Sequence, residues 1–80
     1  MYIKISSTLR PYVPQYDPAR GLVAEPGLAG PNPTAQSLAE ALGIPLAEIK
    51  FVMINGRQMP LETALEEDDR VAYFPAVGGG

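Results

Sequence analysis

The chain has 80 residues, the length of one small domain, and a domain of this size buries only about 60% of its unfolded surface. It contains no cysteine and no histidine, so disulfides, thiolate metal sites and histidine general bases are excluded. A net charge of −3 argues against a nucleic-acid partner, which selects for basic patches, and favours partners with basic surfaces. The chain has no apolar run long enough for a bilayer and no basic-then-apolar leader, so we expect a cytoplasmic protein without a membrane partner.

The first part of the chain predicts one strand followed by a long loop region. Residues 1–6 alternate, with Ile3 and Ile5 on one face, which is the period of a half-buried strand. Residues 10–33 hold six of the nine prolines and three of the eight glycines, so long regular elements are not expected there. Only residues 20–24 could pair as a second strand. We interpret the region as a variable surface connection, and the alternative is a partner-specific loop.

Residues 34–42 predict one short helix. Thr34 is a natural N-cap, Gly43 can take the left-handed C-cap position, and Pro45 prevents continuation. The apolar positions follow helical spacing on one stripe: Ala35, Leu38, Ala39 and Leu42. The stripe predicts a face directed at the core and no binding site, and residues 46–49 could add one further turn.

The segment after the helix predicts a hairpin. Residues 49–54 form an apolar run interrupted by one lysine, which favours a strand with cover on both faces. Asn55-Gly56 is a strong hairpin signal, because both central residues of a type I′ turn need positive φ. Residues 57–59 would return along the sheet. Leu61 and Leu65, four residues apart, predict a single helical turn that closes one end of the sheet.

Residues 66–69 are four consecutive acids. Adjacent carboxylates do not converge on one ion without a dedicated loop, and the alternating spacing and glycine of the calcium-binding hand are missing. The interpretation is a solvated turn. A docking patch for a basic partner is the second possibility, and a metal or acid–base site is the third.

Residues 71–80 predict a strand that runs into a bare glycine tail. The first half alternates, and Pro75, which lacks an N–H, should stop ladder pairing. Residues 76–80, fully extended, would reach about 17 Å from the domain. We expect the carboxylate of Gly80 to be the chain terminus at the end of this thread. The alternative is a frayed or engineered terminus.

This ending resembles the MoaD/ThiS family of ubiquitin-like sulfur carriers, whose last strand leads into a terminal Gly-Gly. Phe74-Pro75-Ala76-Val77 is similar to the Phe-Pro-Pro-Val of the molybdopterin branch, and residues 76–80 spell the Ala-Val-Gly-Gly-Gly of the thiamine branch. Residues 65–71 look like the family's Leu-x-x-Gly-Asp-x-Val turn. Asp68 stands where the family has glycine, and aspartate tolerates a left-handed backbone.

The resemblance implies an α+β fold, the ubiquitin-like β-grasp. The sheet would be mixed and four- to five-stranded, with one main helix on one face and the first and last strands parallel at the centre. The predicted domain is residues 1–75, with residues 76–80 as a flexible tail.

The resemblance also implies a function as a sulfur carrier that binds no cofactor or metal of its own. A ubiquitin-activating-like enzyme would use ATP to adenylate Gly80, and a persulfide sulfur donor would convert it to a thiocarboxylate. Gly78 and Gly79 would enter the partner's active site, and Phe74, Pro75 and Val77 would dock at its mouth. For Phe74, a core position at the strand end is the alternative.

The recipient of the sulfur distinguishes the two branches of the family. We favour the large subunit of molybdopterin synthase, with thiazole synthase as the alternative. Two other classes remain open: a ubiquitin-like modifier that conjugates Gly80 to lysines, and a plain interaction module in which the glycines are incidental. An enzyme with catalytic side chains of its own is not expected, because histidine, cysteine and convincing paired acids are missing.

Overall fold

The computed structural model describes residues 1–76. In this part of the chain the regular elements are β1 (Tyr2–Ile5), β2 (Leu22–Val23), α1 (Ala35–Leu42), β3 (Ile49–Ile54), β4 (Arg57–Met59) and β5 (Arg70–Pro75). Three short 3-10 turns lie between them, at Arg10–Tyr12, Pro26–Ala29 and Leu46–Glu48.

The strands form one mixed sheet in the order β2-β1-β5-β3-β4. β1 and β5 pair in parallel at the centre, with Ile3 opposite Val71, and the other neighbours are antiparallel. This arrangement confirms the predicted α+β fold with its first and last strands adjacent. The possible second strand is also confirmed, as the two-residue β2.

The helix α1 has the predicted limits because both ends are capped. The Thr34 hydroxyl accepts the Ser37 N–H at 3.0 Å, and the Ser37 hydroxyl accepts the Thr34 N–H at 2.9 Å, which forms a reciprocal capping box. Gly43 ends the helix in the left-handed conformation. No helix among residues 1–76 is long and apolar enough to cross a membrane.

The core lies between α1 and one face of the sheet. The strands contribute their inward positions, Ile3, Ile5, Val52, Ile54, Val71 and Tyr73. The predicted stripe of α1 is fully directed at them. Within residues 10–33, Val13 and Ala29 are also buried in this cluster, so the loop region is more than a surface connection.

No helix formed by residues 1–76 covers the other face of the sheet, and we call it the open face. Its side chains include Tyr2, Lys4, Phe51, Met53, Ala72 and Phe74, all at positions that alternate with the core. Phe51 and Met53 are half-buried there. The apolar run of residues 49–54 therefore fills the core with every second residue, and the others have only partial cover on the open face.

The hairpin turn is confirmed, because Asn55 has φ 53° and Gly56 has φ 80°. Among residues 1–76, Asn55 is the sole non-glycine residue with positive φ. Asp68, which stands where the resembled family has glycine, therefore does not use the left-handed backbone that aspartate tolerates. The turn before β5 closes instead through the Asp69 N–H, which donates to the Glu66 carbonyl.

The helical turn predicted at residues 61–65 is also wrong. The Gln36 N–H donates to the Leu61 carbonyl at 2.8 Å, and the Ala35 N–H donates to the Thr63 carbonyl at 3.1 Å. The first N–H groups of a helix have no acceptor within the helix, so this irregular segment supplies acceptors to the start of α1. A helical turn here would use some of those carbonyls internally.

Candidate functional site

The predicted site begins where β5 ends. Phe74 and Pro75 are the last two residues of β5, and Ala76 follows directly after the strand. The remaining predicted site residues lie outside the described residues: Val77, Gly78, Gly79 and Gly80. Their roles stay predictions. The site described below is the end of β5 together with Ala76, which we call the base of the tail because it directly precedes these residues in sequence.

β5, the strand that carries this base, contacts a neighbouring strand on each side and the helix α1 through its core face. β5 lies between β1 and β3, and the ring of Tyr73 is completely buried. The Tyr73 hydroxyl donates a hydrogen bond of 2.6 Å to the Ala35 carbonyl in the first turn of α1. Burial raises the pKa of Tyr73 well above its usual value, because the phenolate would lose its hydration in the core. The position of β5 is thus fixed by a bond from its own side chain to the helix.

Pro75 does not stop pairing, contrary to the sequence prediction. Its Cα lies opposite Ile49, and the next residue still bonds to the neighbouring segment through the Ala76 N–H and the Glu48 carbonyl, at 3.1 Å. Successive N–H groups of a strand point to opposite sides, so the N–H that Pro75 lacks would face β1 and not β3. β1 has already turned away there: the Ser6 carbonyl accepts from Leu9 and Arg10 instead. Proline therefore costs no ladder bond at this position.

Phe74 lies on the open face and not in the core. Its ring stacks on Phe51 of β3, with centroids 4.7 Å apart and planes 14° from parallel. Both rings are half-buried, so each keeps one part accessible to a partner. A register shift between Ile49 and Phe51 leaves one extra residue in β3, and Phe51 pairs with Phe74 beyond that shift. The docking role of Phe74 stays a prediction, and the stack leaves part of its ring accessible for it.

Glu48 connects the end of β5 to a third segment. Its carbonyl accepts from Ala76, and its carboxylate accepts a hydrogen bond of 3.3 Å from the Tyr12 hydroxyl. The negative charge of Glu48 is the main cause that raises the pKa of Tyr12 above 10.0, and the hydrogen bond acts in the same direction. Tyr12, Glu48 and Ala76 thus mark the edge from which the chain continues toward Gly80.

The acidic turn at residues 66–69 takes part in a network of hydrogen bonds with the hairpin. Asp69 accepts from the Asn55 side-chain amide and from the Glu66 N–H, each at 2.8 Å. The Asn55 side-chain oxygen in turn accepts the Arg70 N–H at 2.9 Å. No group of three or more metal-ligating side chains occurs within residues 1–76. The turn therefore ties the start of β5 to the hairpin, a role that the sequence did not reveal for Asp69.

Sequence reasoning also missed Phe51 as the support of Phe74, and Lys4 and Arg70 as neighbours on the same face. A signal was present, because Phe51 and Met53 alternate with the core residues Val52 and Ile54. The pairing register between strands decides which side chains of neighbouring strands lie side by side, and the sequence of a single strand does not specify that register.

Within residues 1–76, the mixed sheet, the single α-helix and the anchored last strand define a ubiquitin-like β-grasp protein. A family model described as Mut7-C ubiquitin matches residues 1–78, and the chain belongs to that family. The match confirms the predicted ubiquitin-like class, while the narrower resemblance to MoaD and ThiS stays a prediction. No curated protein and no solved structure matches the chain significantly.

Proposed function

We propose that this ubiquitin-like protein is a sulfur carrier whose Gly80 is converted to a thiocarboxylate by partner enzymes. The observation that carries the proposal is the hydrogen bond from the Ala76 N–H to the Glu48 carbonyl. It fixes the backbone of the domain up to the residue before Val77, so the sequence that follows, Val-Gly-Gly-Gly, starts from a rigid base. Residues without bulky side chains are suited to entering a narrow active site.

The chemistry requires activation by a partner. A carboxylate is a poor electrophile, and the chain has no phosphate-binding glycine motif of its own. An adenylating enzyme would join the Gly80 carboxylate to the α-phosphate of ATP and release pyrophosphate. A persulfide sulfur would then attack the carbonyl carbon and displace AMP, which leaves an acyl disulfide. A second thiol would reduce that disulfide, leaving the thiocarboxylate on Gly80 and a new disulfide on the donor.

The residues of the tail and its base would have separate roles. Gly78 and Gly79 would lie in the partner's channel, where a side chain would obstruct close backbone contacts. Phe74, Pro75 and Val77 would contact the mouth of the channel. The stack of Phe74 on Phe51 supports this division, because it holds an apolar ring at the base of the tail.

The proposed destination of the sulfur is molybdopterin, made by the large subunit of molybdopterin synthase for a molybdenum or tungsten cofactor. Phe74-Pro75 supports this branch. The ending Ala-Val-Gly-Gly-Gly supports the second candidate, donation to thiazole synthase in thiamine synthesis. Incubating the thiocarboxylate form with each synthase and its substrate, and measuring which product forms, separates the two.

Intact-mass spectrometry tests the carrier step. The chain ending at Gly80 is incubated with candidate adenylating enzymes, ATP, a persulfide-loaded donor and a thiol. Exchange of one oxygen for sulfur should add about 16 Da. Deletion of Gly80 should abolish the gain, and Gly79→Val should slow pyrophosphate exchange. Gly27→Val is the matched control, because a Cβ at Gly27 meets no atom within 4 Å.

Two results would contradict the proposal. One is the absence of a mass gain with an enzyme that sulfurates another carrier in the same mixture. The other is a mature protein, isolated from its own cells, in which the chain continues past Gly80 without processing.

The same activated terminus would serve a ubiquitin-like modifier, and membership of a ubiquitin family supports that as the second function. Glycine remnants joined to lysines in digests of cellular proteins would favour it. A truncation after Ala76 that retains full activity would instead favour a plain interaction module.

A further inference from the structure

We propose that the open face binds a protein segment in which carboxylates flank a large apolar side chain. This inference does not depend on sulfur transfer. It also differs from the basic partner that the net charge of the whole chain favours.

The open face has a shallow depression of about 450 Å³. Its lining is mainly apolar and includes Tyr2, Lys4, Met53, Arg70, Ala72 and Phe74. Ala72 forms the floor because it is the small residue at the centre, with Lys4 opposite it on β1 and Met53 opposite it on β3. The larger neighbours rise around it, so the depression fits one large side chain of a partner.

One wall of the depression is set by a close backbone approach. The ring of Tyr2 lies over Gly21, where a Cβ atom would come within 2.7 Å of it. Gly21 also has φ +76°, which disfavours any other residue. The loop before β2 thus holds the Tyr2 ring at the side of the depression.

The charges at the depression are positive, although the chain as a whole carries −3. Lys4 and Arg70 line it, and none of the carboxylates of residues 1–76 does. Within the described part of the chain the one ion pair joins Arg20 to Asp17, so neither cation has a partner there. Asp69, next to Arg70 in sequence, is turned to Asn55 and to the Glu66 N–H.

These observations specify the partner's chemistry. A large apolar side chain of the partner would bury the apolar lining of the depression. Carboxylates on either side of it in the partner segment would pair with Lys4 and Arg70. A basic segment would be repelled. A nucleic acid fits less well, because two cations on a chain of net negative charge give little compensation for a phosphate backbone.

Selection from a random peptide display library on the intact chain tests the proposal without knowledge of the natural partner. The expected peptides combine aspartate or glutamate with leucine, phenylalanine or another large apolar residue. A synthetic copy of a selected peptide then serves as the probe. Its affinity should fall at least about tenfold for the double variant Lys4→Glu, Arg70→Glu, and also for Ala72→Lys, which fills the depression. Lys50→Glu is the matched control: this exposed lysine is on the same sheet but does not line the depression.

Charge reversal provides the decisive measurement. A probe with lysines in place of its acids should lose affinity for the natural chain and regain it for the double variant. Basic selected peptides, no selected peptides, or binding indifferent to both variants would overturn the proposal. A fluorescent ten-nucleotide oligouridine that binds with the same dependence on Lys4 and Arg70 would also overturn it, in favour of a nucleic acid.

Discussion

The Tyr73 hydroxyl and the Ala35 carbonyl, 2.6 Å apart, join the strand that leads toward Gly80 to the first turn of the helix. Tyr73 is fully buried, and no buried side-chain polar atom in residues 1–76 lacks a hydrogen-bond partner. The bond therefore lets the core accept a tyrosine at the centre of the sheet. It also fixes how the helix lies across β5.

Tyr73→Phe should destabilise the domain while keeping the fold. The ring still fills the core, but the hydrogen bond is lost, which typically costs about 1 kcal/mol. For a domain of this size that loss corresponds to a fall of about 4–8 °C in Tm. Urea and thermal unfolding measure both quantities. Tyr16→Phe is the control, because Tyr16 is only half-buried and its hydroxyl has no hydrogen bond in residues 1–76; an equal loss in both variants would contradict a specific role for Tyr73.

Stability should fall as the pH rises above 10. The folded state raises the pKa of Tyr73 above the ordinary value of 10.0, whereas the unfolded chain ionises near that value. Above pH 10 the folded state thus binds more protons than the unfolded state, so each pH unit removes up to about 1.4 kcal/mol until the folded pKa is passed. Urea unfolding between pH 8 and about pH 11 measures the slope. Tyr73→Phe should flatten it, and an unchanged slope in that variant would assign the effect to another group.

Glu48→Gln should lower the pKa of Tyr12 toward 10.0. The charge of Glu48 is the main cause of the raised value, and it disappears in the variant. Absorbance titration of tyrosinate measures the shift, and Tyr12→Phe identifies the signal that moves. Glu40→Gln is the control for loss of one exposed acid. A Tyr12 pKa that stays in place would show that the Glu48 carboxylate does not remain beside the Tyr12 hydroxyl in solution.

Asp69→Ala should cost more stability than Asp68→Ala, although the two residues are adjacent and chemically identical. Asp69 accepts one hydrogen bond from Asn55 of the hairpin and one from the Glu66 N–H within the acidic turn, and their loss should cost about 1–2 kcal/mol. Exposed Asp68 makes no side-chain hydrogen bond among residues 1–76 and should change stability by less than about 0.5 kcal/mol. Urea unfolding measures the loss of unfolding free energy in each variant. Equal losses would mean that backbone hydrogen bonds alone hold the turn.

Thr34→Ala and Ser37→Ala should each weaken the start of α1, by about 1 kcal/mol for the N-cap. The two side chains bond to each other's backbone N–H, so the double variant should lose less than the sum of the single losses. A double-mutant cycle measures this coupling, and strict additivity would contradict a reciprocal cap.

Local chemistry made several elements predictable from the sequence. Thr34 and Gly43 delimited α1, Asn55-Gly56 located the hairpin, and the alternation of Ile3 and Ile5 identified β1. Each of these signals acts within a few residues, where side-chain type alone restricts the backbone. The glycine-rich ending suggested a ubiquitin-like protein for a different reason, since that prediction came from resemblance.

Other predictions from the sequence were wrong, because they depend on how the elements pack against one another. Pro75 continues the ladder because β1 turns away beside it, and residues 61–65 stay irregular because the start of α1 takes their carbonyls.

The sequence by itself determined the helix, the main strands and their order, and its resemblance to a known family indicated the class of the protein. The tertiary structure decided the pairing of Phe51 with Phe74, the bond from Tyr73 to Ala35, and the placing of Lys4 and Arg70 on one face of an acidic domain. The physical reason is that short-range preferences restrict one segment at a time. Register, burial and local charge depend on which distant segments meet.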